Sequence, residues 1–144
     1  MIAYFDTSAV IPLLVDDEPG GPVCRRTWDS AATLVTTRLT YVEAAAALAR
    51  AARLGRLGRE EHDAIIRGLD QLWPQFDLLD VDDALVSSAA ELARRHALRG
   101  FDAVHCAAAA RLADPTTVAL SGDHALVSAW SAEGLATITT SGTS

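Results

Sequence analysis

The segment Ile2–Ser8 constrains the fold more than any other part of the sequence. Its opening residues, Ile2–Phe5, are apolar and rich in strand formers, and they are too few to make a helix on their own. Asp6 follows with two hydroxyl residues behind it, and these residue types favour the first positions of a helix. A second apolar run, Ala9–Leu14, comes next. The pattern predicts a strand, a carboxylate at its carboxyl end and a helix, which is where open α/β sheets bind their ligands.

Segments typical of strands and of helices alternate along the rest of the chain. Alternation of this kind predicts an α/β fold with a parallel sheet and helices on both faces. The expected strands are, in chain order, Ile2–Phe5, Thr33–Thr37, Phe76–Leu79, Thr116–Ser121 and Ala136–Thr139. We expect residues 1–140 to form one domain and residues 141–144 to form a flexible tail.

Four carboxylates stand at related places in this pattern. Asp6 and Asp123 follow the first and fourth strands, whereas Glu43 and Asp102 open the helices after strand two and before strand four. All four meet at one edge if the strand order is 3-2-1-4-5, with the switch point between strands one and four. Two carboxylates at about 4 Å repel by about 4 kcal/mol at an effective dielectric constant near 20. Such a cluster favours a hard divalent cation, Mg²⁺ or Mn²⁺.

Each acid also has an explanation that needs no ligand. Thr40 and Glu43 have the spacing of a capping box, in which Glu43 would cap its own helix. Asp102 falls in the first turn of an expected helix, Ala103–Leu112, where an acid complements the helix dipole. His105 lies one turn further on, and a histidine among alanines more often packs or donates hydrogen bonds than binds a ligand. Caps do not, however, require four acids to face one crevice.

Composition excludes several other classes of protein. The formal net charge of −7 argues against a nucleic-acid binder that works by charge alone. All 12 basic residues are arginine, which excludes P-loop, Schiff-base and receiver-type chemistry because each needs a lysine. Cys24 and Cys106 fit no metal-binding spacing. With no signal-peptide pattern and no apolar run of about 18 residues, we expect no membrane association and a cytoplasmic protein.

Four motifs in chain order resemble those of the PIN-domain family. The motifs are Asp6-Thr7-Ser8-Ala9 after a strand, Leu39-Thr40-x-x-Glu43, Phe101-Asp102-Ala103-x-His105, and Ser121-Gly122-Asp123 closing a strand. The resemblance covers nearly the whole chain and is closest in kind to the toxins of VapBC toxin–antitoxin modules, which are compact single-domain ribonucleases. It implies a three-layer α/β/α PIN-like fold.

The resemblance also implies a site and its partners. An acidic quartet would hold Mg²⁺ or Mn²⁺ with two serines in support; these residues are Asp6, Glu43, Asp102 and Asp123, and Ser8 and Ser121. Ser121 stands where the family often has threonine. The implied partners are a cognate VapB-type antitoxin, a second copy of the chain and a structured RNA substrate. The expected function is therefore a type II toxin that hydrolyses RNA phosphodiester bonds. Candidates for holding the RNA backbone are Arg38, Arg99 and the series Arg53, Arg56 and Arg59.

Other functions stay open at this point. An acid that ends the first strand is also found in haloacid-dehalogenase-type phosphatases, but those have a second Asp where this chain has Ser8, and they use a lysine. A PIN-like fold can also serve in RNA processing, cut DNA, or bind a partner without cleaving anything.

Overall fold

Five parallel strands form the centre of the structure, a computed structural model that describes residues 1–141. Seven helices within those residues flank the strands. The elements are β1 (Ile2–Phe5), α1 (Thr7–Leu14), α2 (Gly21–Ser30), β2 (Thr33–Thr37), α3 (Leu39–Arg53), α4 (Arg59–Leu72), β3 (Asp77–Leu79), α5 (Asp83–His96), α6 (Gly100–Ala110), β4 (Thr117–Ser121), α7 (His124–Ala132) and β5 (Ala136–Thr139). Most of the expected flexible tail, residues 142–144, lies outside the described residues.

The strand order is β3-β2-β1-β4-β5, and every neighbouring pair is parallel. The predicted order is therefore confirmed, with the switch point between β1 and β4. Phe5 at the end of β1 is level with Leu120 of β4, and the N–H of Asp6 donates to the carbonyl of Leu120 at 3.2 Å. This register sets Asp6 beside Ser121, the last residue of β4.

Side chains of β1 alternate between two apolar cores on opposite faces of the sheet. Ala3 and Phe5 pack in a core with residues of α1, α2, α3 and α4, whereas Tyr4 packs in a core with residues of α5, α6 and α7. Ala3, Tyr4 and Phe5 are completely buried, as expected for the central strand of a parallel sheet covered on both faces. The predicted α/β fold with three layers is confirmed.

Differences from the sequence-based prediction are confined to the ends of elements. Helix α6 begins at Gly100 and ends at Ala110, so it starts three residues before the predicted Ala103. It starts earlier because the carbonyl of Arg99, which has extended backbone, accepts the N–H of Ala103 at 2.9 Å and closes the first turn there. Asp102 remains in the first turn, as predicted. Among residues 1–141 no helix has both the length and the apolar character that a membrane span requires.

Candidate active site

The four predicted carboxylates line one cleft at the carboxyl edge of the sheet. This acidic cleft has a volume of about 430 Å³. Its polar lining consists of Asp6, Thr7, Ser8, Glu18, Glu43, Asp102, His105 and Asp123. The convergence expected from the strand order is therefore present, and the acids come from four separate parts of the chain.

Asp6 lies at the floor of the acidic cleft and is 4% exposed. It is the N-cap of α1, and its carboxylate accepts the N–H of Ala9 at 3.1 Å. The hydroxyls of Ser8 and Ser121 donate to its two oxygens at 2.7 Å each. Burial raises the pKa of Asp6 above its ordinary value, while His105 and the two serine hydroxyls limit the rise. The carboxylate therefore costs free energy in the metal-free protein even though it is well hydrogen-bonded.

The two predicted supporting serines join the ends of β1 and β4. Ser8 accepts the N–H of Gly122 at 2.8 Å, and Ser121 accepts the N–H of Asp123 at 2.9 Å. The two hydroxyl oxygens are 3.3 Å apart. A Cβ at Gly122 would lie 3.2 Å from the hydroxyl of Thr140, a tight contact, and 3.5 Å from that of Ser8, so the turn has little room for a side chain. The serines thus hold both Asp6 and the loop that carries Asp123.

Glu43 does not cap its helix, so the capping-box interpretation is wrong. Helix α3 starts at Leu39. Its N-cap residue, Arg38, makes no side-chain hydrogen bond to the first turn, and Glu43 lies beyond that turn. Thr40 is buried in the first turn of α3, and its hydroxyl accepts a hydrogen bond from Thr36 at 2.7 Å instead of acting as the N-cap.

The carboxylate of Glu43 instead points across to α1 and α6. Its Oε1 accepts the hydroxyl of Thr7 at 2.8 Å and lies 2.7 Å from Nε2 of His105. Burial alone would raise the pKa of Glu43, but hydrogen bonding and charge attraction from His105, with the bond from Thr7, lower it below its ordinary value. Contacts between distant parts of the chain therefore keep Glu43 ionised and in place.

His105 and Tyr4 extend this contact into the core, a connection that the sequence reasoning missed. Nδ1 of His105 is 2.7 Å from the Tyr4 hydroxyl. His105 is 2% exposed, and its carbonyl accepts the indole N–H of Trp130 at 3.3 Å. The available signals were the alternation that turns Tyr4 away from Phe5 and the spacing that sets His105 on the same face as Asp102.

Asp102 and Asp123 form the opposite wall of the acidic cleft. Burial raises the pKa of Asp102, and repulsion from Asp123 adds to that rise. Arg99, one turn earlier, lies 3.6 Å from Asp102, and its side chain is 89% exposed. Asp123 is the N-cap of α7 and accepts the N–H of Leu126 at 3.1 Å. Arg99 and His105 offset part of this effect, but the pKa of Asp102 remains raised.

The donor set fits a hydrated Mg²⁺ or Mn²⁺ ion. The clustered side chains offer carboxylate oxygens, which these hard cations prefer, and the repulsion at Asp102 is the kind that a cation relieves. Within residues 1–141, no three His, Cys, Asp or Glu side chains are already spaced around a single metal position. Mg²⁺ commonly keeps several waters when bound, and these can bridge the wider spacing of a 430 Å³ cleft.

The predicted RNA-binding arginines lie in different places. Arg99 lines a second cavity of about 590 Å³ that shares Glu43 and Asp102 with the acidic cleft. Arg38 forms an exposed ion pair with Asp80. The other three lie around the far end of α3 and the start of α4; they are Arg53, Arg56 and Arg59. Arg99 is thus the candidate nearest to the acids.

Comparison with known proteins identifies the family. The model of the PIN-domain family matches residues 3–128, which include every residue of the acidic cleft. The chain belongs to the PIN-domain family. Ribonuclease VapC45 of Mycobacterium tuberculosis is 36% identical over 125 residues, which cover 87% of this chain and 86% of that protein. The resemblance to VapC-type PIN domains is confirmed.

Solved PIN-domain structures share the fold over almost their whole length. VapC20 of Mycobacterium tuberculosis, a sarcin–ricin-loop-cleaving toxin, superposes with a TM-score of 0.66 at 22% identity and covers 92% of this chain and 95% of its own. VapBC2 of Rickettsia felis, solved bound to a DNA fragment from the promoter, has a TM-score of 0.65 at 10% identity, with coverage of 96% and 98%. At these identities the superpositions show the common fold.

Proposed function

We propose that this protein is the toxin of a type II toxin–antitoxin system and a Mg²⁺- or Mn²⁺-dependent endoribonuclease. The observation that carries the proposal is the meeting of Asp6, Glu43, Asp102 and Asp123 in one cleft at the switch point of the sheet. Family membership supplies the class of reaction, because the curated relative is a VapC ribonuclease.

Each acid has a role in this proposal. Asp6, Glu43 and Asp102 would hold the cation, and Asp123 would help directly or through water. Ser8 and Ser121 orient Asp6 by donating to both of its oxygens. A bound Mg²⁺ or Mn²⁺ supplies a Lewis acid that activates water and neutralises charge on the scissile phosphate.

Substrate binding is assigned to the rim of the acidic cleft. Arg99 is almost fully exposed and belongs to the cavity that adjoins Glu43 and Asp102. Its guanidinium can pair with a backbone phosphate next to the cleavage position. Because the chain carries a net charge of −7, the RNA is held by this local basic group and by shape rather than by an overall positive field.

The proposed partners follow the family. A cognate VapB-type antitoxin would block the acidic cleft, and the chain would act as a homodimer in the cytoplasm on a structured RNA. The VapBC2 structure, whose chain shares this fold, supports a two-protein system.

Cleavage of total RNA by purified, partner-free protein tests the proposal. We expect cleavage with Mn²⁺, none with a chelator, and none by Asp6→Asn, in which asparagine still caps α1. Asp63→Asn, an exposed change on α4, is the matched control and should cleave normally. Cleavage of single-stranded DNA alone would show a DNA nuclease. Folded protein that binds Mn²⁺ and cuts neither nucleic acid would overturn the enzymatic proposal.

A further inference from the structure

A continuous chain of hydrogen bonds runs from the core to the acidic cleft through three different elements. The Tyr4 hydroxyl on β1 is 2.7 Å from Nδ1 of His105 on α6, and Nε2 of His105 is 2.7 Å from Oε1 of Glu43 on α3. Tyr4 is completely buried and His105 is 2% exposed, while Glu43 reaches the cleft. Two buried polar side chains are therefore hydrogen-bonded in series to one carboxylate of the cleft.

The hydrogen bond to Glu43 has a fixed direction. A carboxylate can only accept, so Nε2 of His105 carries the proton that is donated to Glu43. Nδ1 is paired with the Tyr4 hydroxyl, and this pairing fixes the orientation of the imidazole ring. Burial raises the pKa of Tyr4 well above its ordinary value, so Tyr4 stays a neutral phenol that can hold this hydrogen bond.

Space filling does not account for this arrangement. An apolar residue would fill the volume of His105 at less cost, since a buried polar group must be paired. Both ring nitrogens are paired, and no buried side-chain N or O within residues 1–141 lacks a partner. The Thr7 hydroxyl, 2.8 Å from the same oxygen of Glu43, is a second donor and lies 3.5 Å from Nε2 of His105.

We propose that His105, oriented by Tyr4, is a positioning residue that holds the carboxylate of Glu43 in the rotamer used for binding the divalent cation. The inference rests on the proposed function, because the cation is part of that proposal. Neither His105 nor Tyr4 contacts the ion or the RNA. Hydrogen-bond partners of metal ligands usually change metal affinity about 10- to 100-fold when they are lost.

Binding of Mn²⁺ alone, measured by isothermal titration calorimetry, tests the inference without reference to catalysis. In His105→Asn the amide reaches the position of Nδ1 but not Glu43, and we expect affinity to fall about tenfold. In His105→Gln the longer amide restores a donor near Nε2, so most of the affinity should return. Tyr4→Phe keeps the ring and removes the hydroxyl, and it should weaken binding less than His105→Asn does.

Tyr41→Phe is the matched control. It removes a bond from a tyrosine hydroxyl to the carboxylate of Asp70, 2.6 Å long and away from the cleft, and should leave Mn²⁺ binding unchanged. Normal Mn²⁺ binding by His105→Asn and Tyr4→Phe would overturn the positioning role and leave the proposed function standing. Absence of binding by the unmodified protein would overturn both. If His105→Asn fails to fold, Tyr4→Phe decides, since it retains the aromatic packing against His105 and Trp130.

Discussion

The hydroxyl of Ser121 donates to Oδ2 of Asp6 at 2.7 Å across 115 positions of the chain. The hydroxyl oxygen of Ser121 in turn accepts the N–H of Asp123 at 2.9 Å. One hydroxyl therefore connects the ends of the two central strands, the floor of the acidic cleft and the loop that carries the fourth acid. Stability and the shape of the site depend on the same small group.

Replacing Ser121 by Ala should destabilise the protein by about 1–3 kcal/mol, because a buried carboxylate oxygen and a backbone N–H lose their partner. Urea unfolding at neutral pH measures the difference. Ser121→Thr keeps the hydroxyl and is the control, and it should lose much less. An Ala variant as stable as the unmodified protein would show that water replaces the hydroxyl without cost.

Asp102→Asn should stabilise the metal-free protein and weaken its response to metal. Burial and Asp123 both disfavour the charge on Asp102 at neutral pH, so removing that charge removes a cost of folding. Thermal unfolding in a chelator should therefore give a higher Tm for Asp102→Asn than for the unmodified chain.

Millimolar Mn²⁺ should reverse this order. Binding to the native state at a concentration of 100 Kd adds about 2.7 kcal/mol to the stability of the unmodified chain. The variant lacks one of the proposed carboxylate ligands, so it should gain less. A lower Tm for Asp102→Asn in the chelator would contradict the account of repulsion within the cleft.

Glu133→Gln should lower stability in a way that depends on pH. The hydrogen bond to His96, with further contributions from Arg95, holds the pKa of Glu133 below its ordinary value of 4.5 against the opposing effect of burial. A lowered folded-state pKa gives stability that is present above the ordinary value and is lost as pH falls through the lowered one.

The loss in Glu133→Gln should be about 0.5–1 kcal/mol at neutral pH, given the partial exposure of the group. It should vanish in acid well below pH 4.5. Urea unfolding of both proteins at the two pH values measures this. Asp63, which is exposed on α4, makes no ion pair with any of residues 1–141, so Asp63→Asn controls for the change in net charge. A difference in stability between the unmodified protein and Glu133→Gln that persists in acid would show that packing, and not charge, causes it.

The sequence predicts the place of Asp6 and Asp123 because each follows a strand, and it predicts the strand order only as the one that brings the four acids to a common switch point. Parallel strands bring their carboxyl ends to one edge, so an acid after a strand is placed by topology alone. The start of α6 is less well predicted. The carbonyl of Arg99 closes the first turn of this helix before the apolar pattern begins.

Glu43 and His105 show what local patterns cannot supply. Thr40-x-x-Glu43 satisfies the capping-box spacing, yet the tertiary bond from His105, 62 positions away, determines where the carboxylate lies. Which side of α6 faces Tyr4 depends on the rotation of that helix against the sheet. That rotation is set by how the side chains of several elements pack together, and the local sequence pattern of α6 does not specify it.

Asp6 and Asp123 are helix N-caps as well as members of the cleft, whereas Glu43 and Asp102 are not. Most replacements of an N-cap cost about 1 kcal/mol, and losses of that size reduce the amount of protein in a cell several-fold. Spontaneous mutations that silence the gene product without truncating it should therefore divide into two kinds. Under the proposed function, those at the caps should lower the amount of the polypeptide, whereas Asp102→Asn should leave an abundant protein that no longer cleaves RNA.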